Sequence, residues 1–530
     1  MSPAANVTTR NHIFLYGPSG SGKSTVGKIL ADNLCLPFID LDWRIEQDAD
    51  NLIPMIFDSE GESGFREREA RAFEAVIKEK ERVISLGGGT LIGAANYDLA
   101  LSNGTVVVLQ ASFEKLTSRL VDDGLKRPLL VKNPETSLQT YLEDRKNHYS
   151  SFPISVNTTH LAPAQVALEI QKIVGRYHLQ GMASRKHPPY DLLTRLSGLN
   201  DLGWIMKDRG LKGPVVVVTD KNVGTHYLAR VIDSLIGEDF KVGSVAIDPG
   251  ERHKNITTVF QLWDAFLGFK IERGSTILAL GGGMVLDLVG FAASTYLRGV
   301  PWISVPTSLL AMVDAGLGGK TAVNLPQGKN LVGAFHPPRL VLVDPEVLLT
   351  LPQVEFTNGM AEVVKHAVIS DPGLFDYCQE KVSEYQLREI LELLSRAIAV
   401  KVNIIEQDPY EDGIRAALNY GHTVGHGVEM ASGFKLRHGE SVSIGMVVEA
   451  RMSEELGLAE KGLAKEIADK LAPLGLPVKT PIDLDRADII QAMKRDKKSS
   501  NKQLNFSLPL RIGRVKVGVS VEDWESYIRN

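Results

Sequence analysis

Apolar runs that end in glycine or polar residues recur along the chain, and several are followed by a helical pattern. The first run, Ile13 to Tyr16, precedes a segment rich in glycine and serine, after which a helical pattern begins at Thr25. A second run, Phe38 to Asp42, ends in two carboxylates, and a third, beginning at Ser85, ends in the triplet Gly87-Gly88-Gly89. This order predicts parallel β-strands that alternate with helices.

The second half of the chain repeats the pattern. The run Val215 to Val218 is continuously apolar, as is typical of a strand buried on both faces, and polar residues follow it at 219–222. The run Thr276 to Leu280 ends in Gly281-Gly282-Gly283. Nucleotides bind at such strand ends, and a glycine triplet lets a pyrophosphate approach the backbone. By itself the triplet also fits an ordinary tight turn from strand to helix.

The segment after the first strand is a complete phosphate-binding loop, Gly17-Pro18-Ser19-Gly20-Ser21-Gly22-Lys23-Ser24. Its glycines let backbone N–H groups turn toward phosphate oxygens, and the following helix N-terminus adds partial positive charge. Lys23 would reach the β- and γ-phosphates, and Ser24 would ligate Mg²⁺. The alternative is an ordinary glycine turn before a helix. The candidate ATP contacts are Gly17, Gly20, Gly22, Lys23, Ser24 and Thr25.

Carboxylates, glycines and arginines follow the loop in a fixed order. We expect Asp40 and Asp42 to serve different ligands, one of them Mg²⁺ and the other a substrate hydroxyl. Arg127 lies in a polar stretch suited to a mobile lid, and Arg145, near Tyr149, supplies another guanidinium. For each arginine taken alone, a solvated surface charge is the alternative.

This ordered set, over about residues 10 to 175, resembles shikimate kinase. The resemblance implies a three-layer α/β/α domain that phosphorylates shikimate with ATP and Mg²⁺. It implies that Asp40 and Ser24 hold Mg²⁺, and that Lys23 and Arg127 are catalytic, because phosphoryl transfer depends on positioning and charge neutralisation. The residues that it places at the shikimate site are Asp42, Arg66, Gly88 and Arg145.

The 530 residues exceed what one small kinase needs, so the chain should contain several folding units. We predict a kinase domain at 1–175, a linker at 176–189 and further domains beyond it.

Hydrophobic residues make up 44% of the chain and the formal net charge is -5, which argues against a nucleic-acid partner. The polar start lacks a signal-peptide core and no apolar run is long enough to cross a bilayer, so we expect a cytoplasmic protein. Two cysteines exclude a disulfide framework.

Segments dense in glycine and cations fill the second half, notably 249–254, 314–324 and 328–330. Glu362 and Lys365 lie one turn apart on a predicted helix, and the segment 419–426 places polar side chains on one helical face. A carboxylate and two imidazoles from separate segments would make a Zn²⁺ site with room for substrate. The helical spacing alone favours His422 and His426 as the histidine ligands.

From about residue 190 to the C-terminus, the sequence resembles 3-dehydroquinate synthase. The resemblance implies that Glu362, His422 and His438 hold Zn²⁺ or Co²⁺, whereas His426 faces the substrate, which differs from the spacing argument. It also implies an α/β NAD⁺-binding domain at 190–345, a mainly helical metal- and substrate-binding domain at 346–530, and a homodimer formed through this half.

The resemblance assigns the remaining site residues of the synthase half. The NAD⁺ contacts are Asp220, Asn222, Glu251, Lys254, Gly282, Gly283, Asp287, Thr307, Ser308 and Lys329. The substrate contacts are Arg298, Asp314, Lys320, Asn330 and one of Lys497 and Lys498, of which we take Lys497. The catalytic group comprises Lys320, Lys365, Lys401, Arg415, Asn419 and His426. Leu286 stands where the family usually has glycine, and we expect it to crowd the cofactor slightly.

The two resemblances together predict a fused enzyme of chorismate and aromatic amino acid biosynthesis. The synthase would convert a heptulosonate phosphate to 3-dehydroquinate, with phosphate release and with NAD⁺ reduced and re-oxidised in each turnover. A metal- and NAD⁺-dependent polyol dehydrogenase is the alternative for this half, although a neutral polyol does not require so many lysines and arginines. Decay of one half to a non-catalytic scaffold is the other alternative.

Overall fold

The computed structural model describes residues 11–122, 134–184, 187–378, 385–482, 484–498 and 504–528. Internal contacts divide the chain into two compact units, Met1–His178 and Leu179–Asn530. The division falls within the segment 176–189, where we predict a linker, and Arg176–Leu179 of that segment forms a β-strand.

The first unit is built on one parallel sheet. Its strands are β1 (His12–Tyr16), β2 (Phe38–Asp40), β3 (Val83–Ser85), β4 (Gly104–Gln110) and β5 (Ser155–Asn157). Its helices are α1 (Lys23–Leu34), α2 (Leu41–Ala49), α3 (Ile53–Ile77), α4 (Ala94–Asn103), α5 (Phe113–Asp122), α6 (Pro134–Ser150) and α7 (Pro163–Val174). The strand order is β2-β3-β1-β4-β5, and all neighbouring strands pair in parallel.

Alternation along β1 explains the layering of this unit. Ile13 and Leu15 point to one face of the sheet, where they pack in a core with residues of α1 and α7. Phe14 and Tyr16 point to the other face and join a core formed with α2, α3 and α4. Helices therefore cover both faces, and the predicted three-layer α/β/α fold is confirmed.

The predicted strand Phe38 to Asp42 is too long. β2 ends at Asp40, because the carboxylate of Asp40 accepts a hydrogen bond of 3.1 Å from the backbone N–H of Asp42 and so caps α2. Asp42 consequently lies in the first turn of a helix rather than at the end of a strand.

The second unit contains a larger sheet, a short hairpin and a helical part. From residue 176 the strands are β6 (Arg176–Leu179), β7 (Tyr190–Thr194), β8 (Val215–Asp220), β9 (Val242–Ile247), β10 (Thr276–Gly281), β11 (Trp302–Pro306), β12 (Lys320–Leu325), β13 (Gly328–Phe335), β14 (Leu340–Val343), β15 (Asn505–Arg511) and β16 (Arg514–Ser520). The helices are α8 (Leu202–Asp208), α9 (Lys221–Ile236), α10 (Ile256–Gly268), α11 (Gly283–Thr295), α12 (Gln353–Ser370), α13 (Pro372–Tyr377), α14 (Leu387–Gln407), α15 (His422–Ala431), α16 (His438–Glu455), α17 (Leu463–Leu471) and α18 (Arg486–Lys498).

Within the second unit the larger sheet has the order β7-β14-β11-β10-β8-β9, and all of these neighbouring strands pair in parallel. Val215 to Val218 of β8 are fully buried, as their continuous apolar run predicts. Ile277 and Ala279 of β10 pack against α10 and α11. The α/β part of the predicted fold is thus confirmed. The candidate cofactor residues Asp220 and Gly282 lie at the ends of β8 and β10.

The remainder of the second unit is mainly helical, as predicted. Helices α15, α16 and α18 share a core with β15 through residues such as Val424, Ile444, Met493 and Phe506. α15 begins at His422 and α16 begins at His438, so two candidate metal ligands stand at helix N-termini. No described helix combines the length and the apolar character needed to span a membrane.

Candidate active sites

The phosphate-binding loop ends directly in α1. Gly22 precedes the helix with φ of 96°, a left-handed conformation that favours glycine, and the helix begins at Lys23 rather than at Thr25. Lys23 is buried, and its ammonium donates hydrogen bonds of 2.9 and 3.0 Å to the carbonyls of Gly17 and Pro18. The loop therefore holds a cation beside an exposed helix N-terminus, an arrangement suited to an anion.

A hydroxyl and a carboxylate meet next to this loop. Ser24 donates a hydrogen bond of 2.5 Å to Asp40, and its oxygen lies 3.4 Å from the hydroxyl of Ser85. Such oxygen donors are the ligands that Mg²⁺ prefers. The structure therefore brings together the two residues predicted to hold Mg²⁺.

The residues predicted to bind shikimate lie close to the glycine triplet that follows β3. A Cβ placed on Gly89 would lie 2.8 Å from the guanidinium of Arg66, and one on Gly87 would lie 3.0 Å from the carboxylate of Asp42. Both polar groups thus approach the triplet closely from α3 and α2.

The fourth predicted contact reaches the same triplet. Arg145 donates a hydrogen bond of 3.0 Å to the carbonyl of Gly88, and its guanidinium lies 3.9 Å from the centre of the Tyr141 ring. Tyr149 donates a further hydrogen bond of 2.8 Å to the same carbonyl. The carboxylate of Asp42 and the guanidiniums of Arg66 and Arg145 accordingly lie around the three glycines.

Sequence reasoning missed two supporting residues of the kinase half. Glu69 is buried and accepts hydrogen bonds from Arg66 at 2.7 Å and Thr90 at 2.6 Å. Arg119 donates to the carbonyl of Gly20 in the phosphate-binding loop at 3.1 Å. The (i, i+3) spacing of Arg66 and Glu69 on one helix was an available signal. Arg127 lies outside the described residues.

In the second unit, a buried lysine organises part of the predicted NAD⁺ site. Lys254 donates hydrogen bonds of 2.6 Å to Asp287 and 2.6 Å to Asn330, and it forms an ion pair of 3.9 Å with Glu251. Asn330 lies on β13 with φ of 56°. Three polar residues, one of them from the same turn as Lys254, are therefore gathered around its ammonium group.

The ends of β8 and β10 carry further candidates. Gly282 caps α11, and a Cβ on it would lie 3.5 Å from the hydroxyl of Ser308. The backbone N–H of Thr307 bonds the carbonyl of Gly281 at 3.0 Å, so this loop adjoins the end of β10. Gly283 is the first residue of α11. A helix N-terminus at a glycine-rich strand end is a common pyrophosphate site.

Asp220 has a structural task at the neighbouring strand end. It is buried and accepts hydrogen bonds from the backbone N–H groups of Asn222 at 2.9 Å and Val223 at 3.1 Å, which caps α9.

Leu286 is 1% exposed and packs in the core between the sheet and α10, so its side chain points into the protein interior.

Three helices bring a carboxylate and two imidazoles together. Nε2 of His438 lies 3.4 Å and Nε2 of His422 lies 3.6 Å from the same oxygen of Glu362. One donor atom from each residue falls within 4.8 Å of the others. His426 is exposed, and its ring centre lies 5.3 Å from that of His422. The structure therefore groups His422 with His438 around Glu362.

The electrostatics of this cluster suit a cation. Burial would raise the pKa of Glu362, but Lys365, His438 and His422 together hold the pKa well below the ordinary value. Burial, together with Lys365, holds the pKa of His422 well below its ordinary value, so that imidazole is neutral. Burial lowers the pKa of His438, yet Glu362 and Glu429 together raise it to about 9.

Buried cations adjoin the cluster. Lys365 forms ion pairs with Glu362 and, at 3.9 Å, with Asp314. Lys401 donates a hydrogen bond of 2.5 Å to Asp314. Burial would raise the pKa of Asp314, but the two lysines hold it well below its ordinary value.

A second group of polar residues lies near Glu411. Sequence reasoning missed this glutamate. Glu411 forms an ion pair with Lys320 and accepts a hydrogen bond of 2.6 Å from Asn419. The buried guanidinium of Arg415 lies 3.5 Å from the carbonyl of Gly318. Glu411 thus contacts Lys320 and Asn419, two of the predicted residues. Burial would raise the pKa of Glu411, but Lys320, Asn419 and Arg415 hold it below its ordinary value.

Sequence reasoning also missed Glu429, Glu449 and His366. Glu429 forms an ion pair of 2.8 Å with Lys329 and lies 3.9 Å from Nδ1 of His438. Both oxygens of Glu449 accept backbone hydrogen bonds at the start of α15. His366 is fully buried, and burial lowers its pKa to about 3. The sequence signal of each is weak, because a single polar residue in an apolar helix fits many roles.

The structure does not bring every candidate into these groups. Arg298 lies in an exposed turn after α11 with φ of 68°. Lys497 belongs to α18, but its side chain lies outside the described part of the chain. Both assignments stay predictions.

Family comparisons agree with both halves. The shikimate kinase family matches residues 19–174. The 3-dehydroquinate synthase N-terminal family matches residues 244–358, and the 3-dehydroquinate synthase C-terminal family matches residues 359–499.

Individual relatives cover the second half. The 3-dehydroquinate synthase of Nostoc punctiforme is 44% identical over 334 residues, which are 62% of this chain and 92% of the relative. That of Prochlorococcus marinus is 42% identical over 339 residues, which are 62% of this chain and 91% of the relative.

A solved structure resembles the same half. It is the 2-epi-5-epi-valiolone synthase of Streptomyces hygroscopicus with NAD⁺ and Zn²⁺ bound, with a TM-score of 0.60 and 30% identity over 66% of this chain and 96% of that one. Taken together, the motifs, the geometry and these relatives show that the chain belongs to the 3-dehydroquinate synthase family and carries an N-terminal domain of the shikimate kinase family, so that it is an enzyme with a kinase half and a synthase half.

Proposed function

We propose that this shikimate-pathway fusion phosphorylates shikimate with ATP and converts 3-deoxy-D-arabino-heptulosonate 7-phosphate to 3-dehydroquinate with release of phosphate. The observation that carries the synthase assignment is the group formed by Glu362, His422 and His438 beside buried lysines. The family matches and the gathering of polar groups around the glycine triplet support the kinase assignment.

The kinase residues fall into two sets. Lys23 and the loop amides would hold the β- and γ-phosphates of ATP, and Ser24 with Asp40 would hold Mg²⁺. Arg66 and Arg145 would bind the shikimate carboxylate, while Asp42 would accept a hydrogen bond from a ring hydroxyl. The chain's own contribution to phosphoryl transfer is therefore the positioning of the acceptor hydroxyl and the neutralisation of charge.

The candidate metal residues fit Zn²⁺ or Co²⁺. Both carboxylate oxygens of Glu362 are buried and, among the described residues, neither makes a hydrogen bond; Oε2 is in an ion pair with Lys365, whereas Oε1 faces the two imidazoles and would serve as the metal ligand. Two imidazoles and one carboxylate form a donor set typical of catalytic zinc sites. The valiolone synthase holds NAD⁺ and Zn²⁺, and a 2-deoxy-scyllo-inosose synthase with 26% identity holds NAD⁺, Co²⁺ and carbaglucose-6-phosphate. When bound, the metal would polarise the substrate alcohol and NAD⁺ would accept and return a hydride.

The surrounding residues would hold a doubly anionic substrate. Lys320, Arg415 and Asn419 form one group of donors, and Lys365 and Lys401 form another beside Asp314. Charge-assisted hydrogen bonds from such groups suit a carboxylate and a phosphate. His426, exposed near the metal residues, would face the substrate, and the substrate phosphate itself would act as base in the elimination.

A coupled assay tests the synthase assignment. Phosphate release and NADH absorbance are followed together in the intact chain, with trace NAD⁺ and excess heptulosonate phosphate. Many phosphates per NAD⁺ without NADH accumulation support the proposal. NADH formed in proportion to turnover would identify a dehydrogenase instead. Phosphorylation of shikimate by ATP in the same preparation tests the kinase assignment.

We also propose that two copies associate through the synthase half. Ile256, Phe260 and Leu267 lie on one face of α10 and are 37%, 57% and 63% exposed. Exposed apolar residues grouped on one face commonly mark protein interfaces. Light scattering should give the mass of a dimer for the full chain and a smaller mass for Phe260→Glu. A monomeric wild type would reject the dimer, and an unchanged mass for Phe260→Glu would reject this face.

A further inference from the structure

We propose that Glu449 is a positioning residue that fixes the start of α15, so that His422 faces Glu362 in the metal site. The inference rests on the proposed metal-binding function. Glu449 is fully buried, and its two oxygens accept hydrogen bonds from the backbone N–H groups of Gly421 at 2.6 Å and Val424 at 3.1 Å. These groups flank His422, the first residue of α15.

The local sequence explains why a distant carboxylate is needed. The first N–H groups of a helix have no partner within the helix, and a serine, threonine or aspartate at the N-cap commonly satisfies one of them. The N-cap of α15 is Gly421, which has φ of 80° and no side chain to serve as a cap. Glu449, from the middle of α16, supplies the missing acceptor oxygens at this helix start.

Burial indicates that this interaction is specific. A carboxyl group inside a protein carries a large desolvation penalty, and the backbone hydrogen bonds of Glu449 reduce that penalty. A helix in an apolar core tolerates such a group only where it has these partners. Glu449 therefore links the backbone at the start of α15 to α16 by hydrogen bonds, and its role is more than packing.

Two further contacts hold the same pair of helices together. Tyr420 donates a hydrogen bond of 2.8 Å to the carbonyl of Met446. A Cβ on Gly445 would lie 2.0 Å from the carbonyl of Gly421, so the two backbones touch where α15 begins. Since α16 itself begins at His438, one helix would supply a metal ligand and also hold the backbone that carries another ligand.

Glu449 acts on His422 through the backbone, because it accepts hydrogen bonds from the main-chain N–H groups of Gly421 and Val424. Loss of a residue that orients a metal ligand typically weakens metal binding by about 10- to 100-fold. Displacement of the α15 start would move His422 relative to Glu362 and His438, which belong to α12 and α16. The expected phenotype is therefore weak metal binding in a folded protein.

The same helix offers a matched control. Glu454 also lies on α16, and it accepts hydrogen bonds from the backbone N–H groups of Gly462 at 3.0 Å and Ala464 at 2.7 Å. These groups belong to the start of α17, a helix with no candidate site residue. Glu449→Gln and Glu454→Gln thus make the same chemical change at two helix starts.

The experiment measures Zn²⁺ affinity in the full-length protein. Metal is removed with a chelator, and Zn²⁺ is titrated back in competition with a chromophoric chelator. We expect binding about 10- to 100-fold weaker for Glu449→Gln and unchanged for Glu454→Gln. Wild-type affinity in Glu449→Gln, or equal weakening in both variants, would overturn the inference.

A milder variant keeps the test decisive if Glu449→Gln does not fold. Glu449→Asp keeps a carboxyl group but shortens the side chain, which draws its oxygens away from Gly421 and Val424, and we expect it to weaken Zn²⁺ binding by a smaller factor. Unchanged affinity in Glu449→Asp would then overturn the inference. Zn²⁺ binding that survives His438→Ala in a chain with Glu449 intact would reject the metal site itself, an outcome distinct from failure of the Glu449 variant alone.

Discussion

Lys401 of α14 donates a hydrogen bond of 2.5 Å to Asp314, and Lys365 of α12 approaches the same carboxylate at 3.9 Å. Both lysines are buried, so Asp314 balances two charges that would otherwise repel each other. The carboxylate thereby keeps two cations in place at the candidate substrate site.

Lys401→Met should therefore impair both stability and catalysis. Lys401 and Asp314 form a hydrogen bond between charged groups, which contributes about 1.5–3 kcal/mol to the free energy of unfolding and which methionine cannot make. Synthase turnover should fall because a substrate-binding cation is gone. Urea unfolding and steady-state assays measure the two effects, with the exposed Lys435→Met as control. Unchanged synthase activity in Lys401→Met would contradict the assigned role.

Lys23→Ala should abolish phosphorylation of shikimate and leave synthase turnover near normal. Removal of one preorganised group that stabilises transition-state charge commonly reduces kcat by about 10²- to 10³-fold. The control is Lys28→Ala, an exposed position on the same helix. Loss of both activities in a folded Lys23→Ala protein would show that the halves are not independent.

Arg145→Ala should weaken shikimate binding more than it slows the chemical step. A hydrogen bond to a charged group contributes about 1.5–3 kcal/mol, so we expect KM for shikimate to rise by about 10- to 100-fold. Initial rates over a range of shikimate concentrations measure this, and Lys146→Ala on the same helix is the exposed control. An unchanged KM would remove Arg145 from the substrate site.

Chelation, or His438→Ala, should remove synthase activity while the kinase remains active once Mg²⁺ is restored. Among the residues that the structure describes, groups of one carboxylate and two imidazoles that could hold Zn²⁺ lie in the synthase half. Metal analysis should find one tightly bound ion per active chain, and none in His438→Ala. The exposed His226→Ala serves as control. Full synthase activity with substoichiometric metal would contradict the proposed site.

Zn²⁺ binding should tighten as pH rises toward about 9. Glu362 and Glu429 raise the pKa of His438 to about 9, so Zn²⁺ must displace a proton at neutral pH. The folded pKa exceeds the unfolded value of about 6.5, so this proton stabilises the metal-free protein below about pH 6.5, and that stabilisation is lost as pH rises through about 9.

Zn²⁺ titrations between pH 6 and pH 9 measure this dependence. Glu429→Gln removes one of the carboxylates that raise the pKa of His438, and its binding curve should level off at lower pH. Affinity independent of pH in the wild type would show that His438 is already neutral in the metal-free protein.

The sequence by itself determined the features that are local. Eight consecutive residues define the phosphate-binding loop, because backbone turns, a lysine and a helix start need no distant partner. Continuous apolar runs at β8 and β10 predicted buried parallel strands, since such strands bury both faces. The fold class and both families followed from these patterns together with the resemblances.

Tertiary structure decided what depends on distant segments. Helical spacing favoured His422 with His426, yet close contact between α15 and α16 brings His438 to Glu362 instead. Glu411 and Glu449 gave no usable signal, because a carboxylate acquires a role only from the groups that packing places beside it. The strand predicted to reach Asp42 ended earlier, because the side chain of Asp40 satisfied a helix N–H. Local chemistry is encoded in adjacent residues, whereas a site assembled from several helices depends on how their backbones pack.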